Sequence, residues 1–200
     1  MNAHRALLRE YENIGYGLYL VLDPYGMSMA FHFLVKGETL EYLARLAIEG
    51  YMQAGKAAEQ DLFLARTTLL LLSTPQPYPL LTGNSLQRAR QYLDNDYPEV
   101  FEKMMRESGA TGPERGEKDA GNTPLVHFLR LFVEALEKKK PELADLLLDK
   151  YSKFLDRDPM LMELAIKSKE MYAPSGRVLP PIHGMFGDLF KLSSVATPST

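Results

Sequence analysis

Metal or proton-transfer chemistry would have to begin with His4, His32, His127 and His183, the four histidines of the chain. No two of them stand four residues apart, and no HExxH occurs, so one helix face cannot present a ligand pair. His127 precedes Phe128 in an apolar run and reads as a partly buried or surface residue. His183 lies among prolines and could touch a partner. Gly15-Tyr-Gly17 begins like a dinucleotide fingerprint but lacks the third glycine and a preceding strand. Gly109, Gly112 and Gly116 crowd one segment, yet none is followed by the Lys-Ser or Lys-Thr of a phosphate loop. No Gly-x-Ser-x-Gly elbow exists. Asp94 with Asp96, and Asp156 with Asp158, read as helix-end and capping carboxylates rather than an acid/base pair. No nucleophile, base and oxyanion donor come together. The expectation is a non-catalytic binding surface with no cofactor and no metal.

The elements that must carry such a surface are helices separated by Pro and Gly. Ala3 to Tyr11 can form a helix, and Tyr16 to Val21 either continues it or forms a strand. The spacing predicts helices over Met27–Lys36, Thr39–Met52 and Ala57–Ser73. In the last of these Leu62, Ala65, Leu69 and Leu72 share one face, while Phe63 and Leu70 broaden it, which predicts burial on more than one side. Ser73 to Pro79 cannot be helical. Asn84 with Gln87 is a capping box for a helix to about Leu93, and Pro98 is placed to start another reaching Met105. Arg106 to Asn122 reads as a loop. Thr123-Pro124 is a cap followed by proline at the first helical position. Leu125, Phe128, Leu129, Phe132, Val133 and Leu136 then make an apolar stripe. Lys138 to Lys140 suits a helix C-terminus. Pro141 starts a helix with Leu143, Leu146, Leu147, Tyr151 and Phe154 on one face, and Asp158-Pro159 starts the next. In Ala173–Gly184 the Ser175-Gly176 turn can carry two short arms as a small β-hairpin. Met185 to Leu192 returns to helix.

The expected fold class is all-α. Helical hairpins stacked in order make an α-solenoid and closure around one core makes a bundle; no clean internal repeat decides between them. The expected organisation is a poorly defined segment over 1–26, a helical body over 27–192 and a disordered tail over 193–200. With 23 Lys plus Arg against 26 Asp plus Glu, the net charge of −3 provides neither a basic nucleic-acid face nor a polybasic membrane anchor. The chain has no cysteine, which excludes disulfides and thiolate chemistry and fits a reducing compartment. Ile14–Leu22, ended by Asp23-Pro24, is too short to span a membrane.

Pro124-Leu-Val-His-Phe-Leu129, Leu155-Asp-Arg-Asp-Pro-Met160, Asp61-Leu-Phe-Leu-Ala65 and Gly184-Met-Phe-Gly-Asp-Leu-Phe190 occur in an order with a known counterpart. Over residues 28–192 the chain resembles the C-terminal half of the fourth-subunit family of the guided-entry-of-tail-anchored-proteins (GET) pathway. The resemblance implies a tetratricopeptide-like α-solenoid of antiparallel hairpins and a cytosolic, non-catalytic scaffold. In that family the C-terminal half holds a ubiquitin-like subunit and the N-terminal half binds the targeting ATPase. Most of that N-terminal half has no match here, which leaves ATPase binding in doubt. The resemblance places partner contacts on Phe128, Phe132, Tyr151, Tyr172, Val178, Leu179, Ile182 and Phe186. It implies neither nucleic-acid binding nor direct membrane insertion. The other reading of the residues is a helical-repeat adaptor unrelated to membrane-protein insertion.

Overall fold

The computed structural model describes residues 2–19, 30–31, 33–37, 39–54, 59–76, 84–107 and 123–174. Helix α1 (Asn2–Tyr19) is continuous, so Tyr16–Tyr19 extends the first helix rather than forming a strand. Residues 30–31 and 33–34 are helical, and α2 (Glu41–Ala54) and α3 (Gln60–Ser73) follow. Next come α4 (Ser85–Gln91), a π-turn (Tyr92–Asp96) and α5 (Tyr97–Glu107). The C-terminal unit holds α6 (Pro124–Glu137), α7 (Pro141–Lys150), the single turn α8 (Ser152–Leu155) and α9 (Pro159–Tyr172). Among the described residues there is no strand. The expected β-hairpin, the helix over Met185–Leu192 and the terminal tail lie outside the described residues.

The start signals read from sequence close as capping bonds. Asn84 Oδ1 accepts from Gln87 N at 2.9 Å, and Gln87 Oε1 accepts from Asn84 N at 3.2 Å. Thr123 Oγ1 accepts from Val126 N at 3.3 Å, and Asp158 Oδ1 from Met160 N at 3.0 Å. Each satisfies one donor that a helix start leaves open.

Two boundaries differ from expectation. Pro98 does not open a new helix; it sits in the first turn of α5, and the chain runs into it through the π-turn. Proline lacks an N–H, and its ring strikes the carbonyl four residues back in an α-helix. The wider turn, in which Tyr97 N–H donates to Tyr92 O, moves that carbonyl away. The helix begun at Pro141 also stops early. Tyr151 leaves helical geometry at φ −102°, ψ 8°, and α8 restarts beyond it.

Helix α3 is the axis of the body. It packs against α2, α4, α6 and α9. Leu64, Leu69, Leu71 and Leu72 are buried on a broad face, while Leu62, Phe63, Arg66 and Leu70 on the other side stay partly exposed. Its buried hydroxyls stay within the helix: Thr68 Oγ1 donates to Leu64 O at 2.8 Å, and Ser73 Oγ to Leu70 O at 3.3 Å. Such back-bonding satisfies a polar group where no water reaches it.

At the other end α1 docks through small residues and one carboxylate. Leu8 is fully buried. A Cβ on Gly15 would lie 2.7 Å from Leu34 Cγ, so only glycine allows α1 this close. Glu12 accepts from Thr39 N just before α2, where negative charge favours the helix dipole. Arg88 is buried nearby and donates to Val35 O at 3.3 Å. Burial lowers Arg88 to about 10, against the opposing attraction of Glu12 and Asp96.

Two measurements check this packing. Phe132 is fully buried and stacked on Phe128 at 5.0 Å. Phe132→Ala should lower unfolding free energy by about 3–5 kcal/mol; a loss under about 1 kcal/mol, well below that range, would mean the side chain is not enclosed. Gly→Ala inside a helix usually gains about 0.5–1 kcal/mol. Gly15→Ala should instead lower the melting temperature, because the added methyl meets Leu34; a rise would contradict the docking of α1.

Candidate partner-binding surface

The C-terminal unit is built on an aromatic floor. Phe128 and Phe132 stack along α6, and Tyr151 tilts onto Phe128 at 5.6 Å. Phe154 continues the row at 6.2 Å from Tyr151. Ring pairs at these separations add to the stabilisation from burial. Tyr151 is buried, and its hydroxyl lies 2.7 Å from Nδ1 of exposed His127 on α6. His127 therefore orients a core tyrosine instead of waiting for a metal.

Charged pairs lock this unit to α3. Asp158, the cap of α9, also accepts from Arg66 Nε at 3.0 Å. Beside it Arg157 Nη1 donates at 2.9 Å to buried Asp61 at the start of α3. The two pairs cross in opposite sense: a basic and an acidic residue of α3 meet an acidic and a basic residue of the α8–α9 turn. Lys169 of α9 pairs with Asp145 of α7. Two of the other carboxylates read as capping residues are also engaged. Asp94 lies 3.9 Å from Arg130, and Asp96 accepts from Gln91 Nε2 at 3.4 Å. Among the described residues no group of three or more His, Cys, Asp or Glu could hold a metal ion.

The sequence-derived contact residues fall into three groups. Phe128, Phe132 and Tyr151 are buried and form the floor, so they are not exposed for direct contact. Tyr172 is half-buried at the end of α9, where burial raises its hydroxyl pKa against a hydrogen bond with Ser85. Val178, Leu179, Ile182 and Phe186 lie outside the described residues. Sequence reasoning missed a further set. Leu146 is 60% exposed, Met160 47% and Ile166 43%. Leu143 and Leu146 were expected on the core face of α7. The core face is instead Ala144, Leu147, Leu148 and Tyr151, at i, i+3, i+4 and i+7. Counting that four-residue stripe separates the outward leucines from the inward ones.

The family model for Golgi to ER traffic protein 4, GET4, matches residues 18–190. The chain belongs to the GET4 family. Protein GET4 of Arabidopsis thaliana is 29% identical over 161 residues, which is 80% of this chain and 42% of that protein. A crystal structure of C. therm. Get4 aligns with a TM-score of 0.53 at 23% identity, over 95% of this chain and 59% of that one. That likeness shows the fold: an α-solenoid of helical hairpins, as the resemblance implies; the residue pattern alone left solenoid and bundle open. The chain spans well under two thirds of either relative's length. Among the described residues of this GET4-family chain, no helix is long and apolar enough to cross a membrane.

The Asp158 node can be tested on the chain alone. Asp158→Ala removes a helix cap and an ion pair together. It should cost about 1–2 kcal/mol, the upper part of the range for caps. Arg66→Ala should cost about 1 kcal/mol or less, because the arginine is half-exposed. Equal losses in urea titrations would show that the cap adds nothing.

Proposed function

We propose that this chain is a non-catalytic, cytosolic scaffold in the targeting of tail-anchored membrane proteins, and that its C-terminal helices hold a ubiquitin-like subunit. Membership of the GET4 family implies involvement in the GET pathway. The single observation that carries the reading is the reach of the family match, residues 18–190, which takes in α2 to α9 and the segment beyond them.

The geometry supports a binding role. Phe128, Phe132 and Tyr151 make a rigid floor, and rigid scaffolding lowers the ordering cost of association. Tyr172 leads from α9 into Ala173–Gly184, where Val178, Leu179 and Ile182 are apolar residues on a proline-stiffened segment. Tyrosine is a residue type enriched where binding energy concentrates, and the leucine and isoleucine add apolar area to bury beside it. Exposed Leu146, Met160 and Ile166 extend the apolar surface of the same unit. The targeting ATPase is a second partner of the pathway, and its docking would use contacts apart from this C-terminal surface.

Co-purification with the tagged ubiquitin-like subunit tests the proposal. Leu179→Asp with Ile182→Asp should remove the subunit from the complex while the helical circular dichroism signal stays unchanged. Retention of the subunit at wild-type stoichiometry by the folded double variant would overturn the assignment of the contacts to this segment.

A further inference from the structure

The π-turn at Tyr92–Asp96 stands at a junction. On its N-terminal side α4 packs on α3 and α6; on its C-terminal side α5 packs on α2. One nearly continuous helix thus bridges two parts of the solenoid, and its single irregular turn falls between them. A π-turn is an α-helix with one extra residue, and such turns are places where helices bend. Pro98, directly after it, removes one further helical hydrogen bond. Tyr92 is fully buried and Tyr97 nearly so, their hydroxyls set against Thr67 and Gln60 of α3. By contrast, α6 carries a regular ladder, a capped start and an apolar inner face. The direct contact between α2 and α3 includes an edge-to-face ring pair, Tyr51 with Phe63 at 6.2 Å, an arrangement compatible with small sliding of packed helices.

We infer that Tyr92–Asp96 is a built-in hinge, about which α2 and α5 shift against the α3–α6–α9 body. The device suits a scaffold that must present one surface while another part of the array adjusts to a second load.

The absence of cysteine makes site-specific spin labelling direct. Labels at Glu102 in α5 and Glu142 in α7 span the hinge; labels at Glu142 and Glu163 stay within the C-terminal unit. All three positions are exposed. The hinge-spanning pair should give a distance distribution at least about twofold wider than the control pair, as expected for collective domain motion. Deleting exposed Asn95 together with Pro98→Ala restores a regular helix without turning either flank, and should narrow that distribution to the width of the control. Equal widths in the undeleted chain would overturn the hinge. Should the deletion variant fail to fold, hydrogen exchange on the unaltered chain decides. Amides 92–97 exchanging at least about tenfold faster than amides 125–136 support local opening, and comparable rates contradict it.

Discussion

Helix α3 is buried over most of its circumference, and the rest of the body follows from that. A helix that is apolar nearly all round must be enclosed. Enclosing Leu64, Leu69, Leu71 and Leu72 takes α2, α4, α6 and α9 on its different sides. Its polar residues then need partners that do not break the enclosure. Thr68 and Ser73 turn to carbonyls of their own helix, and Asp61 takes Arg157. Burying Asp61 without that arginine would leave an uncompensated charge, a large cost. The ion pair therefore fixes where the α8–α9 turn can sit, and through it the orientation of the last helices.

Much of this was readable in the residues. Capping boxes and proline starts are local chemistry, so Asn84, Thr123 and Asp158 announced their helices correctly. The breadth of apolar residues over Phe63–Leu72 announced an enclosed helix. The all-α architecture followed from periodicity, whereas the solenoid arrangement came with the resemblance. What local reading missed depends on contacts across the chain. Pro98 looks like a start because the compensating π-turn is a property of the whole Ser85–Glu107 stretch. Leu146 looks like core because a stripe of leucines hides which face meets α6. Gly15 carries no sequence signal of its own; its necessity comes from Leu34, nineteen positions away.

The candidate site was legible as a region more than as a set of atoms. Phe128, Phe132 and Tyr151 matter by burial, which leaves them as supports rather than contacts. The apolar residues Leu146 on α7 and Met160 and Ile166 on α9 are exposed instead. This division is physically ordinary: a surface that binds must be held by a core that does not move. A family match across nearly the whole helical body agrees with such a scaffold.

The most direct measurement is hydrogen exchange on the chain with and without the ubiquitin-like subunit. Added protection should be concentrated in residues 143–192, with the amides of α1 and α2 unchanged. Protection confined to α1 and α2, or absent altogether at saturating subunit, would contradict a C-terminal docking surface.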